Sequence, residues 1–323
     1  MNAKHLRLVC VLLMLGCAKE HPRQQSETPG TRAGTVSSVV VPAFSGREAF
    51  RFLEAQTDLG PRNPGSKGHD RCLAYLEQTL VGLADAVRLQ PFSHPGYDGT
   101  TLHLTNLIAS FRPESSARIL LCAHWDTRPR ADRDENPRRR NEPIIGANDG
   151  ASGVAVLLQI ATLLKAHPPS VGVDIVLFDG EDYGREGDTG NYLLGSRHYA
   201  STASRTSVPR FGILLDMVGD AALEIPREGY SVRYAPDIVN MIWRTARGLG
   251  ITEFVDYLGA EIIDDHLPLN EVGIPTVDII DFDYPDPTHR YWHTHDDTPD
   301  KCSPESLEAV GTVVTHVVYN ERP

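Results

Sequence analysis

The sequence predicts an α/β fold, a three-layer sandwich in which helices cover both faces of a mixed, mostly parallel sheet. Short apolar segments alternate with longer segments of helical periodicity along most of the chain, an order typical of α/β proteins. Several of the short segments are apolar at every position, as strands buried on both faces are. Polar clusters follow these segments directly, at the edge where open α/β sheets place their sites.

The elements can be assigned in order along the chain. A helix begins near Ser45, and Pro61 and Pro64 separate it from a second helix that ends near Leu83, because proline interrupts helical hydrogen bonding. Strands are predicted at residues 86–89, 102–111, 119–123, 171–178, 211–217 and 276–280. The later helices are predicted at residues 152–166, 192–200, 236–249 and 304–319. This order predicts one domain over residues 41–323.

The N-terminus has the pattern of an export signal rather than of a folded domain. Lys4 and Arg7 precede a short apolar run, and Gly16 follows that run directly before Cys17. A charged start, an apolar centre and a small residue are typical of a cleaved signal peptide, so residues 1–16 are predicted to be removed. The apolar run is too short to span a bilayer.

Cysteine directly after glycine resembles a bacterial lipobox, so residues 17–40 are predicted to be a lipidated Cys17 followed by a flexible tether. The segment is rich in Ser, Thr, Gln, Pro and Gly, a composition typical of flexible linkers. We therefore expect an exported protein, either periplasmic or anchored to the outer membrane as a lipoprotein. It would meet the membrane only through this N-terminal lipid.

The charge of the chain disfavours one class of partner. Lys and Arg number 31 against 43 Asp and Glu, which gives a formal net charge of −12. Nothing in the sequence resembles the basic footprint of a nucleic-acid-binding protein. A local exception is the arginine-rich segment 128–140. It is predicted to be a solvated loop, with a lid over the active site as the alternative.

Asp149, Asp182 and His293 are the residue types of a metal site. Asp182 follows an apolar strand, Asp149 lies at the mouth of a predicted helix, and His293 lies near the C-terminus. Two carboxylates and one imidazole suit a catalytic zinc with an open coordination position. Asp149 taken alone fits a helix cap. Several acids and histidines at successive strand ends are harder to explain in that way.

Further acidic residues accompany this group. Glu181 precedes Asp182, so on a turn one carboxylate can bind the metal while the other carries a proton, its pKa lowered by the metal and raised by burial. Asp264 and Asp265 precede His266 in a predicted loop. Carboxylates this close can share a proton. The alternative is a helix cap beside a solvated acid.

Six motifs, taken in their joint order, resemble the zinc-dependent glutaminyl cyclases, which are glutaminyl-peptide cyclotransferases built on the zinc-aminopeptidase fold. The motifs are HWDTRP at 124–129, ANDGASGV at 147–154, FDGEDYG at 178–184, GSRHYA at 195–200, DDH at 264–266 and WHT at 292–294. The similarity extends from about Ala43 to the C-terminus. It implies an enzyme that converts the N-terminal glutaminyl residue of peptides or proteins to pyroglutamyl and releases ammonia.

The resemblance also implies the metal and its ligands. One Zn²⁺ per chain is held by Asp149, Asp182 and His293, and Glu181 is the general acid and base. The animal enzymes carry Glu at the position of Asp182, so the shorter side chain must reach the metal from a slightly shifted backbone.

Other residues are implied to surround the substrate. Asp264 and Asp216 are expected to be hydrogen-bonded near the reacting groups. Trp292 is expected to line the pocket, and Tyr192 or Trp125 would complete its aromatic wall. The partners implied are peptides or proteins with N-terminal Gln, and we expect a monomer.

Two other functions stay open at this point. Aminopeptidases of the family use the positions of His124 and Asp216 for a second metal, so His124 and Asp126 are expected either at a second zinc or as supports of the first. A zinc aminopeptidase that removes N-terminal residues is therefore one alternative. A non-catalytic surface binding module is the other, which the complete ligand set and Glu181 disfavour.

Overall fold

The computed structural model describes residues 40–202 and 208–323. The predicted signal peptide, Cys17 and all but the last residue of the predicted tether lie outside the described residues. The described residues form one compact unit. None of the helices in the described ranges is long and apolar enough to cross a membrane.

In the described residues the main sheet has six strands, in the order β1-β2-β4-β3-β5-β8. The strands are β1 (Ala86–Pro95), β2 (Thr101–Phe111), β3 (Arg118–His124), β4 (Gly172–Phe178), β5 (Gly212–Asp216) and β8 (Thr276–Ile280). β2 pairs antiparallel with β1 and with β4, whereas β4, β3, β5 and β8 run parallel. The prediction of a mixed, mostly parallel sheet is confirmed.

The helices begin and end where the sequence supplies capping residues. They are α1 (Gly46–Thr57), α2 (Lys67–Leu83), α3 (Ser152–Ala166), α4 (Leu194–Thr202), α5 (Gly229–Tyr234), α6 (Pro236–Leu249), α7 (His266–Glu271) and α8 (Pro304–Asn320). Ser45, Ser66 and Ser303 each accept a backbone hydrogen bond at the start of a helix, as N-cap residues do. Gly250 ends α6 with φ of 74°, a left-handed conformation that suits glycine.

The two faces of the sheet pack against different helices. In β3, Ile119 and Leu121 join the larger core with α1, α2, α3, α6 and α8. Leu120 and Cys122 face the other side, towards α4 and α7. This division follows from the alternation of side chains along a strand. Because β3 is buried at every position, its sequence is continuously apolar, and the predicted three-layer sandwich is confirmed.

The sequence does not predict several short elements between β5 and β8. β6 (Ile225–Arg227) and β7 (Phe254–Leu258) form a separate parallel pair. Asp264 and Asp265 lie at the end of a loop, as predicted, whereas His266, predicted in the same loop, is the first residue of α7, a helix of 6 residues. Elements this short carry too little periodicity to be recognised from sequence.

The carboxyl ends of the parallel strands form the edge that carries the polar clusters. β3 ends at His124, β4 at Phe178 and β5 at Asp216. The loop before α3 brings Asp149 to the same edge, where its Oδ1 lies 3.2 Å from His124 Nε2. The fold therefore gathers side chains that are far apart in the sequence.

Candidate metal and catalytic site

Asp149, Asp182 and His293 converge at this edge, and we call them the first triad. His293 Nε2 lies 3.5 Å from Asp149 Oδ2 and 3.4 Å from Asp182 Oδ1. All three residues are buried, and one candidate ligand atom from each lies within 4.8 Å of the others. The three residues come from the loop before α3, the turn after β4 and the segment before α8.

Asp149 is positioned through its backbone. The Asp297 carboxylate accepts hydrogen bonds from the N–H groups of Asn148 and Asp149, at 2.8 Å and 3.1 Å. The Tyr284 hydroxyl donates to the same carboxylate at 3.0 Å. The helix-cap alternative for Asp149 is wrong, because the N-cap of α3 is Ala151 and makes no side-chain hydrogen bond. The Asp149 side chain is thus left available for a ligand.

The turn after β4 presents Glu181 and Asp182 in different directions. Gly180 has φ of 75°, which a residue without Cβ adopts easily. The N–H groups of Glu181 and Asp182 donate to the two carboxylate oxygens of Asp126, at 3.0 Å and 3.3 Å. Asp126 is fully buried. Asp126 is expected either at a second zinc or as a support of the first. Its hydrogen bonds make it a support for this turn.

His293 lies on a strained stretch of backbone. Its φ is 58°, a left-handed value uncommon for residues other than glycine. The Arg133 N–H donates to the His293 carbonyl at 3.3 Å. The Trp292 ring stacks on the imidazole with centroids 3.8 Å apart and an interplanar angle of 28°. Strain of this kind is concentrated at functional sites, where surrounding contacts maintain it.

A second group, His124, Asp149 and Asp216, shares Asp149 with the first, and we call it the second triad. Its ligand atoms also lie within 4.8 Å of one another. His124 Nε2 lies 3.1 Å from Asp216 Oδ1 and 3.2 Å from Asp149 Oδ1, which are hydrogen-bonding distances. These nearby carboxylates hold the pKa of His124 well above its ordinary value, although burial acts in the opposite direction.

The first triad fits a zinc ion. Two carboxylates and one imidazole leave a coordination position for a substrate. Within the described chain nothing donates a hydrogen bond to Asp182 Oδ2, although this atom is buried. A buried carboxylate oxygen without a partner is costly, and a cation among the three side chains would supply that partner. Asp149, Asp182 and His293 are the residues that would hold it.

A narrow cavity of about 90 Å³ opens onto the first triad. Glu181, Asp216 and Asp264 form the acidic wall of the cavity, and Tyr192 and Trp292 form its aromatic wall. The structure therefore brings these five predicted residues together around one space. The space is small enough for a single side chain and its reacting groups.

The expectation for Trp125 is wrong. Trp125 is fully buried, stacks on the His69 ring with centroids 4.4 Å apart, and donates from Nε1 to the Thr105 carbonyl at 3.2 Å. It takes no part in the cavity wall. The reason is the alternation of side chains at a strand end: His124 faces the site, so the next residue faces away from it.

Two acids of this wall, Glu181 and Asp264, have raised pKa values. Burial raises the pKa of Glu181 well above its ordinary range; His124 opposes this shift and the charge of Asp182 adds to it. Burial also raises the pKa of Asp264 well above its ordinary range, and the nearby charges of Asp216 and Asp265 add to this shift. A bound cation would act against these shifts, because positive charge favours the carboxylate form.

Sequence reasoning missed two residues near the site. Asp278 lies fully buried in β8 and behind Asp264, whose charge adds to burial in raising the pKa of Asp278 well above its ordinary range. The sequence signal for this residue is an acid in the middle of the otherwise largely apolar strand Thr276–Ile280. Arg128, predicted to be solvated, is also buried, and its Nη1 donates to Asp182 Oδ1 at 2.6 Å. Because Arg128 lies in a basic run, the sequence indicated a solvated side chain instead.

The fold and the first triad define a metalloenzyme of the zinc-exopeptidase type. The comparison with known families agrees with this class. The model of peptidase family M28 matches residues 106–318. The chain belongs to that family.

The individual proteins to which the chain is similar include glutaminyl cyclases and an aminopeptidase. A solved structure of Bacteroides thetaiotaomicron glutaminyl cyclase bound to N-acetylhistamine is 41% identical, with a TM-score of 0.84, over 88% of this chain and 100% of that one. Glutaminyl-peptide cyclotransferase of Bos taurus is 24% identical over 80% of this chain and 79% of its own length. Aminopeptidase YwaD of Bacillus subtilis is 31% identical over 54% of this chain, and the match spans 37% of YwaD.

Proposed function

We propose that this protein is a zinc-dependent glutaminyl-peptide cyclotransferase that acts on peptides or proteins with N-terminal Gln. The observation that carries the proposal is the narrow cavity in which Glu181, Trp292 and the first triad meet. The similarity to solved bacterial glutaminyl cyclases, over most of both chains, supports the same reaction.

The reaction needs one bond to form and one to break within a single residue. The α-amine of the N-terminal Gln attacks the carbon of its own γ-amide, and a C–N bond closes the five-membered lactam. The C–N bond to the amide nitrogen breaks, and this nitrogen leaves as ammonia after it gains a proton. Because both reacting groups belong to one residue, the pocket mainly has to fold the side chain back, and orientation of this kind can supply several kcal/mol.

Glu181 is placed to move the proton. It lines the cavity beside the first triad without belonging to it. It would take a proton from the attacking amine and deliver it to the leaving nitrogen, as a general base and then a general acid. Asp264 and Asp216, on the same wall, would accept hydrogen bonds from the substrate nitrogens and hold them in line.

We further propose one zinc per chain, held by Asp149, Asp182 and His293. When bound there, zinc would polarise the γ-amide carbonyl as a Lewis acid, without the need for an activated water. The imidazole of His293 is oriented by the stacked Trp292 ring. Trp292 and Tyr192 would exclude water from the closed side chain, which favours cyclisation over hydrolysis.

The direct test is ammonia release from a glutaminyl dipeptide by the purified, zinc-loaded protein. The expected products are ammonia and the pyroglutamyl dipeptide in equal amounts. The same dipeptide with an acetylated α-amine is the control, because its nucleophile is blocked. Release of ammonia from the acetylated dipeptide at the same rate, or no ammonia from either, would refute the proposal.

The second triad favours a second candidate function, a zinc aminopeptidase. His124, Asp149 and Asp216 could bring a second metal next to the first, and YwaD, a partial relative, is named an aminopeptidase. Such an enzyme would cleave the peptide bond after the N-terminal residue. Free glutamine released from the dipeptide, in place of ammonia, would identify this function.

Export and attachment to a membrane by a lipid on Cys17 are also proposals. They rest on the charged start, the short apolar run and the Gly16-Cys17 pair. Cell fractionation of the whole chain tests them against Cys17→Ser. We expect the unchanged chain in the membrane fraction and the variant released from it, and an identical distribution of both would refute the anchor.

A further inference from the structure

Arg128 is a buried cation in contact with the candidate metal site. It is 1% exposed, and its guanidinium makes several short hydrogen bonds. Nη1 donates to Asp182 Oδ1 at 2.6 Å, and Nη2 donates to the Tyr192 hydroxyl at 3.0 Å. Nε and Nη2 donate to the two carboxylate oxygens of Asp132, at 2.7 Å and 2.6 Å. One side chain thus joins a candidate ligand to a wall of the cavity.

Asp132 extends this contact to a second candidate ligand. Its Oδ1, which accepts from Arg128, lies 3.9 Å from Nδ1 of His293. The next residue, Arg133, donates its N–H to the His293 carbonyl at 3.3 Å. The segment from 128 to 133 therefore contacts both the Asp182 carboxylate and the strained backbone of His293.

The geometry requires arginine rather than another cation. Arg128 bonds Asp132 through two parallel N–H groups and uses a third to reach Asp182. A planar guanidinium presents such a fixed fork, whereas a lysine ammonium is a single point with no preferred plane. A buried charge is costly unless it is paired. Arg128, Asp132 and Asp182 therefore stabilise one another in the arrangement observed.

The other arginines of the segment do not share this role. Arg130 is buried too, but it donates to the carbonyls of Tyr183 and Gly184. Arg139 is 48% exposed at its side chain and pairs with the exposed Glu142. The side-chain contact with the Asp182 carboxylate therefore belongs to Arg128 and not to the basic run as a whole.

We propose that Arg128 is a positioning residue that fixes the Asp182 carboxylate and, through Asp132, the His293 imidazole for metal binding. The inference rests on the metal site of the proposed function. Hydrogen-bonding partners of metal ligands commonly change metal affinity by roughly 10- to 100-fold when they are removed. Without Arg128, the Asp182 carboxylate would keep only the His293 imidazole, 3.4 Å from its Oδ1, to hold its direction.

The test measures metal binding rather than turnover. Zinc affinity is determined by competition with a chromogenic chelator, and ligand geometry by the visible absorption of the Co²⁺-substituted protein. We expect Arg128→Met to weaken zinc binding roughly 10- to 100-fold and to shift the cobalt spectrum. Arg128→Lys should lie between it and the unchanged protein, and Arg139→Gln, the matched control, should not differ from the unchanged protein.

Two conservative variants keep the inference falsifiable. If Arg128→Met does not fold, Arg128→Lys and Asp132→Asn carry the test, and both should weaken zinc binding and shift the cobalt spectrum. Unchanged zinc affinity and an unchanged cobalt spectrum in the folded variants would overturn the inference. These measurements do not depend on glutaminyl turnover. An unchanged protein that binds zinc but releases no ammonia would therefore refute the proposed function and leave this inference standing.

Discussion

The two triads share Asp149, yet they differ in how their side chains are arranged. In the second triad, the His124 imidazole is within hydrogen-bonding distance of both carboxylates, at 3.1 Å and 3.2 Å. In the first, the corresponding distances around His293 are 3.4 Å and 3.5 Å. Among the described residues each triad has one buried atom without a hydrogen-bond partner. In the first it is the carboxylate oxygen Asp182 Oδ2, and in the second it is the ring nitrogen His124 Nδ1, which lies 3.6 Å from Asp126 Oδ1.

This difference separates a site prepared for a cation from a set of side chains that support it. The residues of the first triad are fixed from outside, by Asp297, Asp126 and Arg128. Such external supports keep acidic ligands apart before a metal arrives. His124 instead acts as the internal counter-charge of Asp149 and Asp216. The comparison favours one metal over two.

The largest effect is expected for His293→Ala. The variant should lose both zinc and turnover, because two carboxylates alone are a weak and incomplete set of zinc ligands. Zinc content by atomic emission and ammonia release measure the two losses. His167→Ala, at an exposed histidine after α3, is the matched control and should keep both. Full zinc content in His293→Ala would show that the first triad does not hold the metal.

Glu181→Gln should abolish most turnover while zinc stays bound. Glutamine cannot accept the amine proton, and the loss of a general acid and base costs roughly 10²- to 10⁴-fold in rate. Ammonia release and zinc content on the same sample measure this separation. Glu186→Gln, at an exposed acid in the same loop, is the control. Unchanged turnover in Glu181→Gln would show that Glu181 does not transfer the proton.

His124→Gln tests the second triad directly. Zinc content should stay at one ion per chain, since His124 is not a ligand in this account. Stability should fall by about 1–3 kcal/mol, because the buried Asp149 and the partly buried Asp216 lose their shared partner. Denaturant unfolding of the zinc-loaded protein gives this number. A drop from two zinc ions to one would show that the second triad binds metal.

Trp292→Ala should act mainly on substrate binding. Removing the ring that lines the cavity and stacks on His293 should raise KM about tenfold, equivalent to about 1.4 kcal/mol of binding energy. Trp292→Phe should recover most of this loss, because it restores an aromatic wall. Kinetics with a glutaminyl dipeptide test both variants. An unchanged KM in Trp292→Ala would exclude the ring from the binding wall.

An effect on stability alone, with none expected on zinc content or turnover, concerns Asp281, an acid outside both triads. It is 2% exposed, and burial raises its pKa to about 7. A raised folded pKa means that its contribution to stability is complete below the unfolded pKa and is lost as the pH rises through about 7. Asp281→Asn cannot ionise, so between pH 5.5 and 8.5 it should gain roughly 1–2 kcal/mol over the unchanged protein. Denaturant unfolding at both pH values measures this gain, and a constant difference would contradict it.

The sequence predicted the long elements and the strand-end clusters, because burial and periodicity act locally. The bounds predicted for α3, α6 and β8 are those observed. It did not predict the directions of single side chains. Trp125 lies next to His124 but faces the opposite side, and Arg128 lies in a basic run but contacts Asp182. The direction of Trp125 follows from the alternation of side chains once His124 is known to face the site. That of Arg128 depends on a contact between residues distant in the chain.

The central claim is a single metal, at the first triad, in an enzyme that cyclises glutaminyl residues. Its most direct test is zinc stoichiometry of the unchanged protein combined with product analysis on a glutaminyl dipeptide. We predict one zinc per chain, with ammonia and the pyroglutamyl dipeptide as products. Two tightly bound zinc ions with free glutamine as the product would contradict the claim.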